Sequence, residues 1–254
     1  GTIAGSVMGT YIGMLGGTDP AAKVLFATHL LSASVMAVPG SIVLAKMLCP
    51  QTEEATDHVA ISGKEKENSN ILDAISSGTV TGVKLMTNIA AMLLVFISLV
   101  ALANYITEGV IGRYTGLNDW IVKITDGKAQ GLTFQFILGV ITSPFMWLIG
   151  VPSQDIMLVG SLLGQKTILN EFVAYFQLQQ WKDAGLFMYE KSILMSTYIL
   201  CGFANISSIG ILLGGLGVLA PEKRGLISRI GVPAMIGGAL VSVLSATIIG
   251  MILG

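Results

Sequence analysis

Long stretches without charge alternate with short polar ones along this chain. Six stretches contain no Asp, Glu, Lys or Arg, and they cover residues 1–18, 24–45, 85–107, 129–154, 192–220 and 230–254. A helix needs about 20 apolar residues to cross a bilayer, and most of these stretches are long enough. The outer helices of a soluble protein would need a polar face, which these stretches lack. The pattern predicts an all-α, polytopic membrane protein with several spanning helices.

The stretch 192–220 is longer than a span requires and is polar in its middle. Gly202, Asn205 and Ser208 lie where an ordinary spanning helix is most apolar. One interpretation is two half-helices joined by an opened turn, as transporters use to direct backbone groups towards a solute. The other is a continuous helix whose Ser and Asn side chains bond to a neighbouring helix. The pattern alone leaves both open.

Residues 153–183 contain two short apolar runs around a polar tip. The runs 156–165 and 172–181 are each about half the length of a span, and Lys166, Asn170 and Glu171 lie between them. A single bent span would bury two charges, at a cost of about 3 kcal/mol each. The spacing therefore favours a re-entrant helical hairpin.

The remaining segments complete the predicted organisation. The prediction is part of a broken, glycine-rich helix at 1–18, a span at 24–45, a polar loop with a surface helix at 46–84, a span at 85–107, an interfacial helix at 132–150 and a final span at 230–254. The segment 132–150 fits an amphipathic helix along the membrane interface as well as it fits a span. The polar loop is predicted to be solvated and not a separate domain.

Composition and charge narrow the possible functions. The chain is 53% hydrophobic and 11% charged, with a formal net charge of −1 and a mean hydropathy of +0.77. This balance gives no basic surface for nucleic acid. His29 and His58 have no partner at a metal-ligand or catalytic spacing, so an enzyme is disfavoured and no organic cofactor is expected.

The polar residues of the two unusual segments together outline a solute site. Asn170 and Glu171 would lie at the hairpin tip, and Phe203, Asn205 and Ser208 in the opened span. They would bring a carboxylate, amides, a hydroxyl and an aromatic face to a similar membrane depth. A channel would need polar rings along one axis. The residues by themselves indicate a transporter or a channel for a small polar solute.

Four strings identify a family. GTIAGSV at 1–7, ATHLLSASVMAVP at 27–39, LLGQKTILNEFVAY at 162–175 and CGFANISSIGILLGGLG at 201–217 resemble the concentrative nucleoside transporters, in family order. The resemblance covers essentially the whole chain and corresponds to the C-terminal half of that family. It implies a cation-coupled symporter that imports nucleosides by alternating access of an elevator type. A transporter of another polar solute, or a channel on the same scaffold, is the alternative.

The resemblance also implies roles for particular residues. The implied substrate-binding residues are Glu171, Asn205 and Ser208 at the ribose, and Phe203, Val7 and Leu85 around the pocket and base. The Thr2 side chain and the Ile3 carbonyl match positions that complete the family's sodium site. The family's first re-entrant hairpin, with its Gln-Thr-Glu motif, and its N-terminal helices are expected to be absent. The similar motif at 51–53 follows Pro50 and is in the wrong place for that role.

The resemblance implies a membrane location and partners as well. Sodium is the expected coupling ion, with a proton as the alternative. The expected partners are nucleosides, membrane lipid and two further copies of the chain in a homotrimer. We expect a multi-pass integral protein of the plasma (inner) membrane.

Overall fold

Helices make up the computed structural model, which describes residues 2–50, 70–125, 127, 129–206, 208–210 and 221–254. The helices are α1 (Gly5–Gly16), α2 (Pro20–Leu48), α3 (Ile71–Asn104), α4 (Arg113–Thr115), α5 (Leu117–Ile124), α6 (Phe134–Leu148), α7 (Ile156–Ile168), α8 (Glu171–Asp183), α9 (Glu190–Leu200) and α10 (Arg224–Ile252). A π-helical segment, Tyr105–Gly112, joins α3 to α4. Extended pairing within the described ranges is limited to one isolated bridge. The predicted all-α fold is confirmed.

Among the residues that the structure describes, two helices are long and apolar enough to cross a membrane by length and composition. They are α2 and α10, each 29 residues long. They contain the predicted spans 24–45 and nearly all of 230–254. Several large apolar side chains of α2 are exposed, among them Val24 and Val35. Exposed apolar surface of this kind is typical of a helix that faces lipid or another subunit.

Helix α3 crosses the predicted boundary between the polar loop with its surface helix, 46–84, and the span 85–107. It begins at Ile71 and continues to Asn104. The physical reason is a strong helix start, since the Asn70 side chain accepts a hydrogen bond from the Asp73 N–H at 2.9 Å. Asp73 adds a negative charge to the first turn, where the helix dipole favours it. The motif at 51–53 lies outside the described residues.

Helices α7 and α8 form a hairpin whose turn consists of Leu169 and Asn170. Helix α6 packs closely along α7 because glycines line the contact. A methyl group on Gly164 would lie 2.6 Å from the Leu138 Cβ, and one on Gly160 would lie 2.6 Å from the Thr142 hydroxyl. Small residues of this kind let two helices approach closely within a membrane. The interfacial position predicted for 132–150 and the re-entrant course of the hairpin stay predictions.

One apolar core joins the hairpin to the helices around it. Its largest fully buried side chains come from α1, α2, α6, α7, α8 and α9, and include Tyr11, Leu15, Leu30, Met146, Leu162, Tyr175, Leu178, Met195 and Ile199. Tyr11 of α1 stacks on Tyr175 of α8 with ring centroids 4.0 Å apart. This core places the hairpin tip beside the C-terminal end of α9.

A buried carboxylate closes the base of the hairpin. Asp155 precedes α7 and is fully buried. Its carboxylate accepts hydrogen bonds from the Met188 N–H at 3.0 Å and the Tyr189 N–H at 3.1 Å. These amides lie just before α9, so Asp155 links the start of α7 to the start of α9.

Replacing Asp155 with Ala should destabilise the protein by about 2 kcal/mol, because two backbone amides lose a charged acceptor. Thermal unfolding in detergent would show this as a lower midpoint. Asp183→Ala is the matched control, since the Asp183 side chain is 56% exposed and pairs with Lys182 at 3.2 Å. An exposed pair of this kind contributes little. Equal midpoints for the two variants would contradict the role given to Asp155.

Candidate functional site

The hairpin tip places a carboxylate at the first position of α8. Asn170 has extended backbone, and its side chain accepts a hydrogen bond from the Val173 N–H at 2.9 Å. Asn170 is thus the N-cap of α8, and Glu171 follows in the first turn. The helix dipole stabilises a negative charge there. The Glu171 side chain is nonetheless buried, at 6% exposure.

Helix α9 stops in the middle of the stretch 192–220. It ends at Leu200, residues 202–205 are not helical, and helical structure resumes at Ile206. The stretch is therefore an unwound helix, which decides between the two interpretations that the sequence left open. Residues 211–220 lie outside the described residues.

Asn205 and Ser208 cap the second half of the broken helix. The Ser208 N–H donates to the Asn205 side-chain oxygen at 2.7 Å, and the Asn205 N–H donates to the Ser208 hydroxyl oxygen at 3.2 Å. This reciprocal arrangement satisfies two backbone donors at a helix start. The other end of the Asn205 side chain is its amide nitrogen, Nδ2.

That amide nitrogen joins the two unusual segments. The Asn205 Nδ2 donates a hydrogen bond of 3.0 Å to Oε2 of Glu171, and both residues are buried. The hairpin tip and the broken helix therefore meet at a carboxylate and an amide. A carboxylate is a strong acceptor for hydroxyl groups, and an amide can donate to the same groups.

Side chains from the hairpin donate hydrogen bonds to backbone carbonyls in the last turn of α9. The Tyr175 hydroxyl donates to the Thr197 carbonyl at 2.8 Å, and the Lys166 ammonium donates to the Ile199 carbonyl at 2.8 Å. The last carbonyls of any helix lack partners within the helix, and burial makes such partners necessary. The break is thus stabilised by the hairpin.

The extended start of the chain pairs with the break. Thr2 forms an antiparallel bridge with Gly202, and the Ile3 N–H donates to the Cys201 carbonyl at 3.3 Å. Two non-helical segments therefore lie side by side. Thr2 and Ile3, which the resemblance links to sodium, lie next to the segment that carries Asn205.

The remaining predicted substrate-binding residues are Val7, Phe203 and Leu85. Val7 is half-buried and packs against the apolar core. Phe203, between Gly202 and Asn205, is 36% exposed, which leaves part of its ring accessible. Leu85 lies on α3, and its side chain is outside the described residues.

Lys166 and Tyr175 were not among the predicted site residues. The signal for Lys166 was a charge within an apolar run immediately before the hairpin tip, which marks a candidate functional residue in a membrane segment. Tyr175 gave no such signal, because a tyrosine in an apolar helix usually belongs to a core.

The two tyrosines of the stacked pair allow a matched test. Tyr175→Phe should lower stability by about 1–3 kcal/mol, because the Thr197 carbonyl loses its buried donor. Tyr11→Phe should be neutral or slightly stabilising, since its buried hydroxyl has no hydrogen-bond partner among the described residues. Melting midpoints in detergent distinguish the two variants. A larger loss for Tyr11→Phe would refute this assignment of the hydroxyls.

A helix that is interrupted by an unwound segment is typical of the solute sites of many secondary transporters. Residues 29–250 match the family described as "Na+ dependent nucleoside transporter C-terminus", and the chain belongs to this family. Its members are transporters and not enzymes, and the chain is an integral membrane protein. The family assignment made from the four strings is confirmed.

Individual relatives agree with this assignment. An uncharacterized transporter of Haemophilus influenzae is 39% identical over 100% of this chain and 56% of that protein. Sodium/nucleoside cotransporter 1 of Rattus norvegicus is 37% identical over 99% of this chain and 38% of that protein. The structure of CNTnw in an inward-facing substrate-bound state superposes with a TM-score of 0.77 at 34% identity, over 100% of this chain and 55% of that chain. The chain spans about half the length of these relatives, or less.

Proposed function

We propose that this chain provides the substrate-binding and ion-binding elements of a symporter that imports nucleosides, with sodium as the coupling ion. The observation that carries this proposal is the buried hydrogen bond of 3.0 Å between Asn205 and Glu171, at the junction of the hairpin and the broken helix. The family match supports both the substrate class and the ion. A proton is the alternative coupling ion.

The chemistry of this junction suits a ribose. Two neighbouring hydroxyl groups can donate to a carboxylate, and the same hydroxyls can accept from an amide N–H. Glu171 and Asn205 supply this pair of groups, with the Ser208 hydroxyl beside Asn205. Because the carboxylate is buried, hydroxyl groups that reach it would replace little water, which strengthens each hydrogen bond.

The base would lie on the apolar side of the same junction. Phe203 has an accessible ring that could stack on a planar base. Val7 of α1 and Leu85 of α3 complete the proposed lining of the pocket. An aromatic face with few polar partners would accept more than one base.

The coupling ion would lie where the two extended segments meet. Sodium is a hard cation, which takes oxygen ligands. The Thr2 hydroxyl and the Ile3 carbonyl offer such oxygens beside the break. Ion binding there would order the same backbone that carries Asn205, which would couple ion binding to substrate binding.

The hairpin and the broken helix would move as one unit during transport. Three side chains of the hairpin, Lys166, Glu171 and Tyr175, bond to the broken helix. This connection supports alternating access of an elevator type. We further propose a homotrimer that is multi-pass in the plasma (inner) membrane and surrounded by lipid.

The test is uptake of radiolabelled uridine and adenosine by the full-length protein in vesicles. Vesicles would carry a sodium gradient, a proton gradient or neither. Saturable accumulation with the sodium gradient alone supports the proposal. Accumulation with the proton gradient alone would show that the coupling ion is a proton and not sodium. A linear, gradient-independent flux would indicate a channel, and no accumulation of any nucleoside would show that the substrate is another solute.

A further inference from the structure

Lys166, in the last turn of α7, is fully buried. Its ammonium donates to the Ile199 carbonyl at 2.8 Å and to the Ser242 hydroxyl oxygen at 2.9 Å. Both acceptors are neutral, and Ser242 passes on a hydrogen bond of 3.2 Å to the Gly238 carbonyl. A buried ammonium is costly unless it is hydrogen-bonded. Lys166 therefore ties α7 to the end of α9 and to α10.

The ammonium lies directly against the backbone of the break. A methyl group on Gly202 would come within 3.1 Å of the Lys166 Nζ and would overlap the Ser242 hydroxyl. Gly202 is also the residue that bridges to Thr2. The lysine thus contacts one side of the non-helical segment, while the extended start of the chain pairs with it through its backbone.

One acceptor of Lys166, the Ile199 carbonyl, is close in sequence to both proposed ligand sites. Ile199 lies two residues before Cys201, whose carbonyl holds the Ile3 N–H. Asn205 follows four residues after Cys201 and bonds to Glu171. The position of the end of α9 therefore sets the positions of Ile3 and of Asn205 together.

We propose that Lys166 is a positioning residue that couples the sodium site to the nucleoside site by holding the end of α9 in place. The identity of the two ligands rests on the proposed function, whereas the mechanical role of Lys166 does not. Without the ammonium, the Ile199 carbonyl loses its partner and the backbone from Cys201 to Asn205 is no longer held. Both sites then weaken at once.

The primary experiment is Lys166→Met in the full-length protein, with uptake of radiolabelled uridine at varied sodium concentration. Methionine retains most of the apolar bulk and removes the charge. We expect the KM for uridine and the sodium concentration for half-maximal uptake both to rise by about ten-fold or more, as for loss of a hydrogen bond from a charged group. The amount of transporter in the membrane should stay close to that of the wild type.

Two further variants sharpen the result. Ser242→Ala removes one acceptor and should raise both constants by a smaller factor, and it should add little in the Lys166→Met background because the contact is already lost. Lys182→Met is the matched control on the same hairpin, because Lys182 lies in the last turn of α8 and contacts Asp183 and the Phe26 ring instead of the break. It should change neither constant.

A rise in only one of the two constants would overturn the proposal, as would a lower maximal rate with both constants unchanged. The second pattern would mean that Lys166 serves stability alone. If Lys166→Met does not reach the membrane, Ser242→Ala decides between the same outcomes.

A labelling experiment tests the inference without transport. Cys201 lies in the break and is buried, whereas Cys49 is exposed. In a protein that retains Cys201 as its one cysteine, Lys166→Met should speed the alkylation of Cys201 several-fold, and Lys182→Met should not. An unchanged alkylation rate would refute the positioning role. Absence of sodium-driven uridine uptake by the wild type would instead refute the proposed function.

Discussion

Replacing Glu171 with Gln is expected to abolish nucleoside uptake by the full-length protein while leaving membrane insertion intact. The change removes the charge and turns one acceptor oxygen into an NH2 group, which cannot accept from Asn205 or from a ribose hydroxyl. Loss of two hydrogen bonds to a charged group should lower kcat/KM by at least about a hundred-fold. The measurement is initial uptake rate, normalised to the amount of protein in the membrane.

Glu190→Gln is the matched control for this experiment. Glu190 also lies in the first turn of a helix, but it is at the exposed start of α9. Its replacement should leave uptake unchanged. Wild-type uptake by the Glu171 variant would show that the carboxylate at the hairpin tip does not bind the substrate.

Gly202→Ala is expected to have the second largest effect. The new methyl group would overlap the Ser242 hydroxyl and approach the Lys166 Nζ to 3.1 Å. Relief of that overlap must shift α10 or the break, and overpacking of this kind costs about 1–3 kcal/mol. Because Gly202 bridges to Thr2, the shift should also disturb the proposed sodium site. We expect a lower melting midpoint and a higher sodium requirement for uptake.

Gly210→Ala is the control for that substitution. Gly210 lies in the same broken helix, and a methyl group there would meet no atom of the described structure within 4 Å. Its melting midpoint should match that of the wild type or rise slightly, as alanine favours a helix. Equal melting midpoints and equal sodium requirements for the two alanine variants would show that the break does not require the close contacts at Gly202.

The proposed site illustrates how a break in a membrane helix is sustained. Released backbone groups within a bilayer must find partners, since no bulk water is available. Here Tyr175, Lys166 and the Ile3 amide supply partners for three carbonyls near the end of α9. Each partner comes from a different position in the chain. Loss of any one of these hydrogen bonds should therefore weaken substrate binding at the proposed site.

Much of this arrangement could be predicted from the pattern of charges. The tip at Asn170 and Glu171 was located by two apolar runs too short to span. The break was located by polar residues in an uncharged stretch, although the pattern could not distinguish an unwound helix from a continuous one. That distinction depends on partners such as Lys166 and Tyr175, which are distant in sequence from the carbonyls they bind.

The sequence alone did not locate the start of α3. Low hydropathy over 46–84 predicted a polar loop with a surface helix, followed by a span from residue 85. A polar first turn is compatible with helix when a cap is present, and Asn70 provides that cap. Capping depends on backbone geometry that hydropathy does not detect.

The sequence by itself determined the all-helical membrane character, the family and the main candidate residues, because these depend on local composition and on short motifs. Only the tertiary structure decided that the stretch 192–220 unwinds after α9, that Asn205 bonds to Glu171 and that Lys166 bonds to the end of α9. Those features depend on contacts between residues more than thirty positions apart. The physical reason is that a released backbone carbonyl and a buried charge are tolerated only where the fold brings them a partner.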